Sequence, residues 1–186
     1  WARNIWKKHG IPYSVWALGS DIWNLGRIPL VKTLLRTVLR DSDVCFADGY
    51  ILKKDVEKIS GKPCEFLAST RRLPAVEEKS LSIAPPYKLA YLGRWHRNKG
   101  TDILLDSLHL LSDEDWAKIE EVRIFGGGPL EKIIKPGCSA LKEAGRPIFL
   151  AFYLNTTQAA KLLLWADYLL IPSRIESIPI TFSDAM

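Results

Sequence analysis

The chain has 186 residues, of which 47% are hydrophobic and 25% charged, and its formal net charge is +5. This composition is ordinary for a globular protein, and the length suffices for one good-sized domain or two small ones. No run reaches the roughly 18 apolar residues that a membrane helix needs, which excludes a predicted membrane span. The small basic excess is typical of a solvated surface. Its functional interpretation is attraction to anionic substrates or lipid headgroups.

The cysteines indicate a reducing compartment. Cys45, Cys64 and Cys138 are an odd number at wide spacings, and no pair resembles a zinc or redox motif. We therefore expect reduced thiols in a cytoplasmic protein, with peripheral contact at the inner face of a membrane as an open alternative.

The first part of the chain alternates strands and helices. Apolar runs predict strands over 11–18, 43–47 and 64–68. Amphipathic spacing predicts a helix end over 1–10 and helices over 29–40 and 50–60. Gly19-Ser20-Asp21 follows the first strand as a turn and helix cap. The alternation implies a parallel sheet.

Residues 70–86 interrupt this alternation. The segment is poor in apolar residues and contains Arg71-Arg72, Pro74 and Pro85-Pro86. It is interpreted as an interdomain linker. We therefore expect residues 1–69 to be the last part of one domain and residues 87–186 the first part of a second.

The alternation resumes after the linker. Strands are predicted over 88–92, 122–125, 148–154 and 168–171. Helices are predicted over 101–111, capped by Thr101 or Asp102, and from Thr156 or Thr157 to 166. Between them, Pro129 is predicted to open a helix that ends near Pro136-Gly137, with a second helical piece running to Ala144.

A basic loop, residues 93–100, joins a predicted strand to a predicted helix. Its Arg94 and Lys99, with the N–H groups of the helix that follows, suit a diphosphate. The plainer interpretation is a solvated basic loop. A third is nucleic-acid binding, because Trp95 stands among cations and could stack on a base.

Glycines follow the next strand, at Gly126-Gly127-Gly128-Pro129. They are typical either of a tight turn into a helix or of close backbone approach to a ligand. On the second interpretation, Gly126 and Gly128 are substrate-binding residues. The run is not the dinucleotide fingerprint.

The last apolar run leads into a polar loop that carries Glu176, and Pro179 can stand in the first turn of the helix that follows. Asp184 comes eight positions after Glu176. Because ligands bind outside the carboxyl ends of parallel strands, these carboxylates are candidates for hydroxyl acceptor, general base or charge stabiliser. No metal-ligand spacing, P-loop or nucleophile elbow is found, so no metal site is expected.

Together these blocks resemble the retaining glycosyltransferases of family 4, also called glycosyl transferases group 1. The resemblance rests on Gly93-Arg94 with Lys99-Gly100, on Ile124 to Pro129, on Ala166-Asp167 through Pro172-Ser173, and on Glu176 to Met186, which is similar to a Glu-x7-Glu motif followed by Ala-Met. Asp184 stands in the place of the second Glu. In the first part of the chain, Gly19 to Trp23 and Ser42-Asp43 resemble the strand ends of the family's acceptor domain.

The resemblance implies an α/β chain of GT-B type, with two Rossmann-like parallel-sheet domains, both incomplete here. Arg94 and Lys99 would bind the diphosphate of a UDP- or GDP-sugar, and Glu176 the donor sugar hydroxyls. Asp184 would hold the ribose, and the backbone around Ser177, Ile178 and Ile180 would approach the phosphates. Glu176, Arg94 and Lys99 are the implied catalytic residues.

The implied activity is transfer of a sugar, with retention, to a saccharide or lipid-linked acceptor. It needs no cofactor and no nucleic acid. Two alternatives stay open: a sugar-nucleotide epimerase on the same fold, and a non-catalytic nucleotide- or anion-binding module. We also expect the sequence to be a fragment cut at both ends, and residues 1–186 alone to be inactive.

Overall fold

The computed structural model describes residues 1–70 and 80–186. The chain divides into two compact units. One contains Trp1–Thr70 and Ser177–Pro179, and the other contains Arg71–Glu176, of which residues 80–176 are described, together with Ile180–Met186. The predicted linker falls largely on residues 71–79, outside the described part, so it stays a prediction.

The first unit is built on a three-stranded parallel sheet, as the sequence predicts. Its order is β1 (Val15–Ala17), β2 (Cys45–Ala47), β3 (Cys64–Phe66). Its helices are α1 (Ala2–His9), α2 (Ser20–Trp23), α3 (Pro29–Asp41) and α4 (Tyr50–Ser60), with a 3-10 turn at Leu25–Arg27. The buried core comes from α3 and α4 packed on the sheet, and includes Leu39, Leu52 and Val56.

The second unit is built on a four-stranded parallel sheet. Its strands are β4 (Tyr87–Arg94), β5 (Ile119–Gly127), β6 (Ile148–Ala151) and β7 (Tyr168–Leu169). Its helices are α5 (Thr101–Leu110), α6 (Asp113–Trp116), α7 (Glu131–Glu143), α8 (Thr156–Trp165) and α9 (Ile180–Ala185). The α/β fold with parallel sheets is thereby confirmed. Among the described helices, none combines the length and the apolarity needed to cross a membrane.

The order of this sheet, β6-β5-β4-β7, fixes where a ligand would bind. The chain passes from β4 outward to β5 and β6, and then returns to place β7 on the other side of β4. Such a reversal opens a crevice at the carboxyl ends of the two strands beside it, which is the usual ligand position in open α/β sheets. The loops that follow β4 and β7 therefore lie at the edge where a site is expected.

The predicted break at Pro136-Gly137 is wrong, because α7 runs without interruption from Glu131 to Glu143. Pro136 stands in the second turn and removes one N–H. The loss of that hydrogen bond is offset by the apolar face that α7 buries in the core. Gly137 does not end the helix. A Cβ there would lie 2.5 Å from Leu105 Cδ2, so the glycine lets α7 pack closely against α5.

Two predicted helix caps are also wrong. Helix α8 is capped by Asn155, whose side chain accepts from Gln158 N in a capping box, and not by Thr156 or Thr157. Helix α5 begins after Gly100, which adopts a left-handed conformation. Thr101 does not cap the helix, because its side chain is buried and bonds elsewhere.

The three cysteines are all buried and free. Burial raises the pKa of the Cys64 thiol, and likewise that of Cys138, to about 11. Because burial disfavours the thiolate, both side chains behave as small hydrophobic core residues.

Candidate functional site

The loops after β4 and β7 cross each other at the carboxyl edge of the four-stranded sheet. Gly100 adopts a left-handed conformation (φ 64°), and a Cβ on it would lie 1.9 Å from the Pro172 carbonyl oxygen. Only glycine fits this approach. Beside the crossing, the Asn98 carbonyl accepts from Arg174 N at 2.8 Å and from Ile175 N at 3.2 Å.

This crossing brings a cation and a carboxylate together. The Lys99 ammonium, at the end of one loop, contacts the Glu176 carboxylate of the other in an ion pair. Ser173 Oγ donates to the same carboxylate oxygen at 3.3 Å. The side chains of Lys99 and Glu176 remain 37% and 21% exposed, so a ligand can reach both.

The loop after β4 has its own internal support. His96 Nδ1 accepts from Asn98 N at 3.1 Å, and the His96 carbonyl accepts from Lys99 N at 2.9 Å. The Arg97 carbonyl accepts from Gly100 N at 3.1 Å. These bonds form the 3-10 turn at Arg97–Lys99, which fixes the backbone that carries the Lys99 side chain.

A buried tyrosine ties the beginning of this loop to α5. The Tyr91 hydroxyl lies 2.8 Å from Thr101 Oγ1, and it donates to the Arg94 carbonyl at 3.2 Å. Tyr91 is 3% exposed, and this burial raises the pKa of its hydroxyl. The neutral phenol therefore keeps its hydrogen bonds across the ordinary pH range and holds the backbone of Arg94 in place.

Arg94 is the last residue of β4, and its exposed side chain passes beside Gly128, the residue after β5. A Cβ on Gly128 would lie 3.3 Å from Arg94 Cγ and 2.8 Å from the Trp95 carbonyl oxygen. A Cβ on Gly126 would lie 1.9 Å from the Gly93 carbonyl oxygen. Both glycines are thus required by the close approach of the chain to itself. Contact of Gly126 and Gly128 with a ligand stays a prediction.

Trp95 is fully buried, so the interpretation that it stacks on a nucleic-acid base is wrong. Its ring stacks on Phe152, with centroids 6.2 Å apart. Its backbone N donates to the Gly127 carbonyl at 2.9 Å, and its carbonyl accepts from Leu130 N at 3.1 Å. Trp95 therefore joins the ends of β4 and β5 and directs its charged neighbours, Arg94 among them, outward.

Arg174 links the two loops through its side chain. Its guanidinium donates to the Arg97 carbonyl at 2.8 Å and to Asp102 Oδ1, in the first turn of α5, at 2.6 Å. This hydrogen bond, with smaller contributions from backbone N–H groups, holds the pKa of Asp102 below its usual value. The Asp102 carboxylate thus already offsets the positive end of the α5 dipole. The N–H groups of α5 are consequently less available to a diphosphate than the sequence predicts.

The remaining predicted residues lie in and before α9. Ser177 and Ile178 group with the first unit, where Ser177 Oγ donates to the Asp48 carboxylate. Ile180 begins α9, and Asp184 stands in its last turn, half-buried. The structure therefore assembles Arg94, Lys99, Gly126, Gly128 and Glu176 at one sheet edge, and does not bring all predicted donor-site residues into one unit.

Several residues that shape the site were missed by sequence reasoning, namely Tyr91, Ser173, Arg174 and Asp102 in its side-chain role. Ser173 is three positions before Glu176, a spacing that could have indicated a hydrogen bond. Arg174 and Asp102 pair across 72 residues and leave no local pattern. Tyr91 pairs with nearer residues, Arg94 and Thr101, from within a strand whose apolar run predicts only burial. A cavity of about 570 Å³ also opens beside Gly128, lined by the first residues of α7. Among the residues that the structure describes, no group of three His, Cys, Asp or Glu could hold a metal ion.

The chain also matches a known protein family. A sequence model described as "Glycosyl transferases group 1" matches residues 86–186, more than half of the chain. The matched segment includes β4 through α9, and hence both loops that carry Lys99 and Glu176. Among curated proteins, none matches this chain.

Solved structures with a similar fold are glycosyltransferases of GT-B type. One is a point mutant of S. aureus TarM in complex with fondaparinux, alpha-GlcNAc-glycerol and UDP, with a TM-score of 0.72 and 14% sequence identity. The alignment covers 94% of the present chain and 34% of the TarM chain. Sucrose-phosphate synthase from Thermosynechococcus elongatus has a TM-score of 0.70 and 11% sequence identity, and the alignment covers 98% of the present chain and 50% of the synthase chain. The apo form of the lipopolysaccharide outer core galactosyltransferase WaaB has a TM-score of 0.65 and 16% sequence identity, and the alignment covers 99% of the present chain and 50% of the WaaB chain. At these identities the likeness shows the fold. The chain spans a third to a half of the length of these proteins.

Proposed function

Because the chain belongs to the family Glycosyl transferases group 1, we propose that its carboxyl-edge site binds a nucleotide-diphosphate-sugar and takes part in transfer of the sugar to an acceptor. The observation that carries the proposal is the contact between Lys99 and Glu176. It sets a phosphate-binding cation beside a hydroxyl-binding carboxylate, from two loops, at the reversal of a parallel sheet.

In this proposal Arg94 and Lys99 bind the diphosphate. Arg94 is exposed, and among the described residues its guanidinium makes no ion pair, so it is available to two phosphate oxygens at once. Lys99 supplies a point charge on a backbone fixed by the 3-10 turn. As the bond from the sugar to the diphosphate breaks, negative charge grows on the leaving phosphate, and both cations stabilise it.

Glu176 accepts hydrogen bonds from the donor sugar hydroxyls. Its carboxylate already has a hydroxyl donor in Ser173 and a cation in Lys99. A bound donor would take over part of the Lys99 interaction with its phosphate, which leaves Glu176 oxygens for the sugar. Asp184 is proposed to hold the ribose. Backbone N–H groups of Ser177, Ile178 and Ile180 are proposed to approach the phosphates.

We assign retention of anomeric configuration to the reaction. The bond from the anomeric carbon to the β-phosphate oxygen breaks, and a bond to the acceptor oxygen forms on the same face. The acceptor proton passes to the leaving phosphate, so atoms and charge balance without a further cofactor or a metal.

The donor is proposed to be a UDP- or GDP-sugar, and the acceptor a saccharide or a lipid-linked saccharide in cytoplasmic synthesis of cell-envelope polysaccharide. Support for a nucleotide and a saccharide comes from solved structures of similar fold. The TarM mutant contains UDP, and the pneumococcal O-GlcNAc transferase GtfA, with a TM-score of 0.62, was solved with UDP and GlcNAc.

The test uses the full-length protein and a panel of UDP- and GDP-hexoses. Released nucleotide is measured, and the anomeric configuration of the product is read by proton NMR. Arg94→Ala and Lys99→Ala should each lower kcat/KM by at least 10-fold, because charged hydrogen bonds are worth about 1.5–3 kcal/mol. Lys118→Ala is the matched control. This cation pairs with Asp115 at 4.0 Å just before the amino end of β5, and its loss should change kcat/KM less than two-fold.

Two outcomes would contradict the proposal. Interconversion of hexoses within the nucleotide sugar, with no nucleotide released, would identify an epimerase. Tight binding of UDP or GDP, with no turnover of any nucleotide sugar by the full-length protein, would identify a binding module.

A further inference from the structure

We infer that Arg174, acting through Asp102 and the backbone of the loop after β4, is a positioning residue that aims Glu176 at the donor sugar. The inference rests on the proposed function, and it adds a residue with no direct part in donor binding. Arg174 is not expected to touch the nucleotide. Its guanidinium is directed to the Arg97 carbonyl and to the Asp102 carboxylate.

The contacts of Arg174 concentrate at the crossing of the two loops. Its backbone N donates to the Asn98 carbonyl at 2.8 Å, and the next amide, of Ile175, donates to the same oxygen at 3.2 Å. Its side chain adds a bond of 2.8 Å to the Arg97 carbonyl of the same turn and one of 2.6 Å to Asp102 in α5. Glu176 is two residues further on, so these contacts hold the backbone that leads directly into it.

The two loops differ in how they are held. The loop after β4 closes on itself through His96 and Arg97 and is anchored by the buried Tyr91. Residues 171–176, in contrast, make two backbone hydrogen bonds within the described part of the chain, and both go to the Asn98 carbonyl. The backbone that leads into Glu176 is therefore held to the loop after β4 through Arg174 and Ile175, whereas the backbone of Lys99 also has the bonds within its own loop.

The ion pair between Arg174 and Asp102 is suited to this role. The two side chains are 37% and 22% exposed, and Asp102 is fixed in the first turn of a ten-residue helix. The Arg174 hydrogen bond keeps the pKa of Asp102 low, so the pair stays charged throughout the neutral range. A planar guanidinium can satisfy a carbonyl and a carboxylate at once, which a lysine ammonium does with less fixed geometry.

The contacts of Arg174 predict that its loss affects sugar transfer and nucleotide binding differently. Loss of the Arg174 side chain should loosen Glu176 and leave Arg94 and Lys99 in place. Binding of a nucleoside diphosphate should then stay nearly unchanged, while the sugar-dependent steps are impaired. A residue that merely supported the fold would weaken both together.

The experiment compares Arg174→Ala and Arg174→Lys with the control Arg146→Ala in the full-length protein. Arg146 also forms an arginine–aspartate pair, with Asp113 at 2.5 Å, but just before the amino end of β6. Backbone amide hydrogen exchange is measured at Arg174 and Ile175, and the binding of UDP and GDP is measured by calorimetry. The kcat is measured with the nucleotide sugar that the parent protein uses as its donor.

For Arg174→Ala we expect at least 10-fold faster exchange at both amides, UDP or GDP affinity within two-fold of the parent, and kcat lowered at least 10-fold. Arg174→Lys should recover part of kcat, and Arg146→Ala should change none of the three. In a Glu176→Gln background, Arg174→Ala should lower kcat less than two-fold further, because both changes act on the same carboxylate.

Unchanged exchange at Arg174 and Ile175, or an equal loss of nucleotide affinity and kcat, would overturn the inference. Faster exchange with unaltered kcat would also overturn it, since Glu176 would then be positioned by other contacts. If the parent protein binds neither UDP nor GDP and releases no nucleotide, the proposed function fails. The exchange measurement still decides in that case whether Arg174 holds the two loops together.

Discussion

Substitution of Glu176 by Gln should strengthen the binding of a nucleoside diphosphate while it weakens sugar transfer. In the structure the Glu176 carboxylate contacts the Lys99 ammonium, the cation assigned to the phosphates. Glutamine keeps the size and the hydrogen-bonding oxygen but removes the negative charge. Lys99 then no longer shares its charge with a carboxylate, and the diphosphate meets one like charge fewer.

The size of the gain in nucleotide affinity depends on how exposed the Lys99 and Glu176 side chains are. Two unit charges 4 Å apart interact by about 4 kcal/mol at an effective dielectric constant of 20. Here the side chains are 37% and 21% exposed, and pairs open to solvent usually contribute about 0.2–1 kcal/mol. We therefore expect about 0.5–1 kcal/mol, a two- to five-fold tighter UDP or GDP complex. Transfer should fall about 10- to 150-fold, because a charge-assisted hydrogen bond to the sugar is lost.

Calorimetric titration of UDP and GDP into both proteins, at low and high salt, measures the first effect. Kinetics on a nucleotide sugar measure the second. The affinity gain should shrink at high salt, because the pair is partly exposed. Glu120→Gln is the control, since Glu120 pairs with Lys88 at 3.5 Å near the amino ends of β4 and β5. Weaker or unchanged nucleotide binding by Glu176→Gln would refute the reasoning about Lys99.

Two further predictions concern stability and reactivity. Gly126→Ala should destabilise the protein by about 3 kcal/mol or more in urea unfolding, because φ is 150° and the new Cβ would lie 1.9 Å from the Gly93 carbonyl oxygen. Gly145→Ala, at φ 79° with no atom within 4 Å, should cost only about 1–2 kcal/mol, and equal losses would show that crowding at Gly126 is absent. At pH 8 the native Cys64 and Cys138 thiols should react with iodoacetamide at least 100-fold more slowly than in urea. Their pKa of about 11 leaves little thiolate until the pH nears that value, so comparable native and unfolded rates in peptide-resolved mass spectrometry would contradict their burial.

Local patterns in the sequence were sufficient for most elements of the fold. Helix α4 was predicted with its observed bounds, because an amphipathic run ends at Gly61, which adopts a left-handed C-cap conformation. The central strands were found as apolar runs, although β4 and β5 extend beyond them. Pro136 misled the prediction, since whether a proline ends a helix depends on packing that the sequence does not display.

The candidate site could be predicted in part. Each of Arg94, Lys99 and Glu176 was named as a candidate from its place at a strand end. Lys99 and Glu176 are 77 residues apart, and their contact depends on β7 pairing with β4, which no local pattern specifies. The pairing of Arg174 with Asp102 has the same origin, so it could be found only in the structure.

The central claim is that Lys99 and its neighbours hold a nucleoside diphosphate at the edge of the four-stranded sheet. Calorimetric titration of UDP and GDP into the full-length protein and its Lys99→Ala variant tests this claim most directly. The parent should bind one of the two with a Kd of about 1 mM or tighter. The variant should lose about 1.5–3 kcal/mol, or about 10- to 150-fold in affinity. A loss of less than about 0.3 kcal/mol, below the range of any net hydrogen bond, would contradict the assignment of Lys99 to the diphosphate.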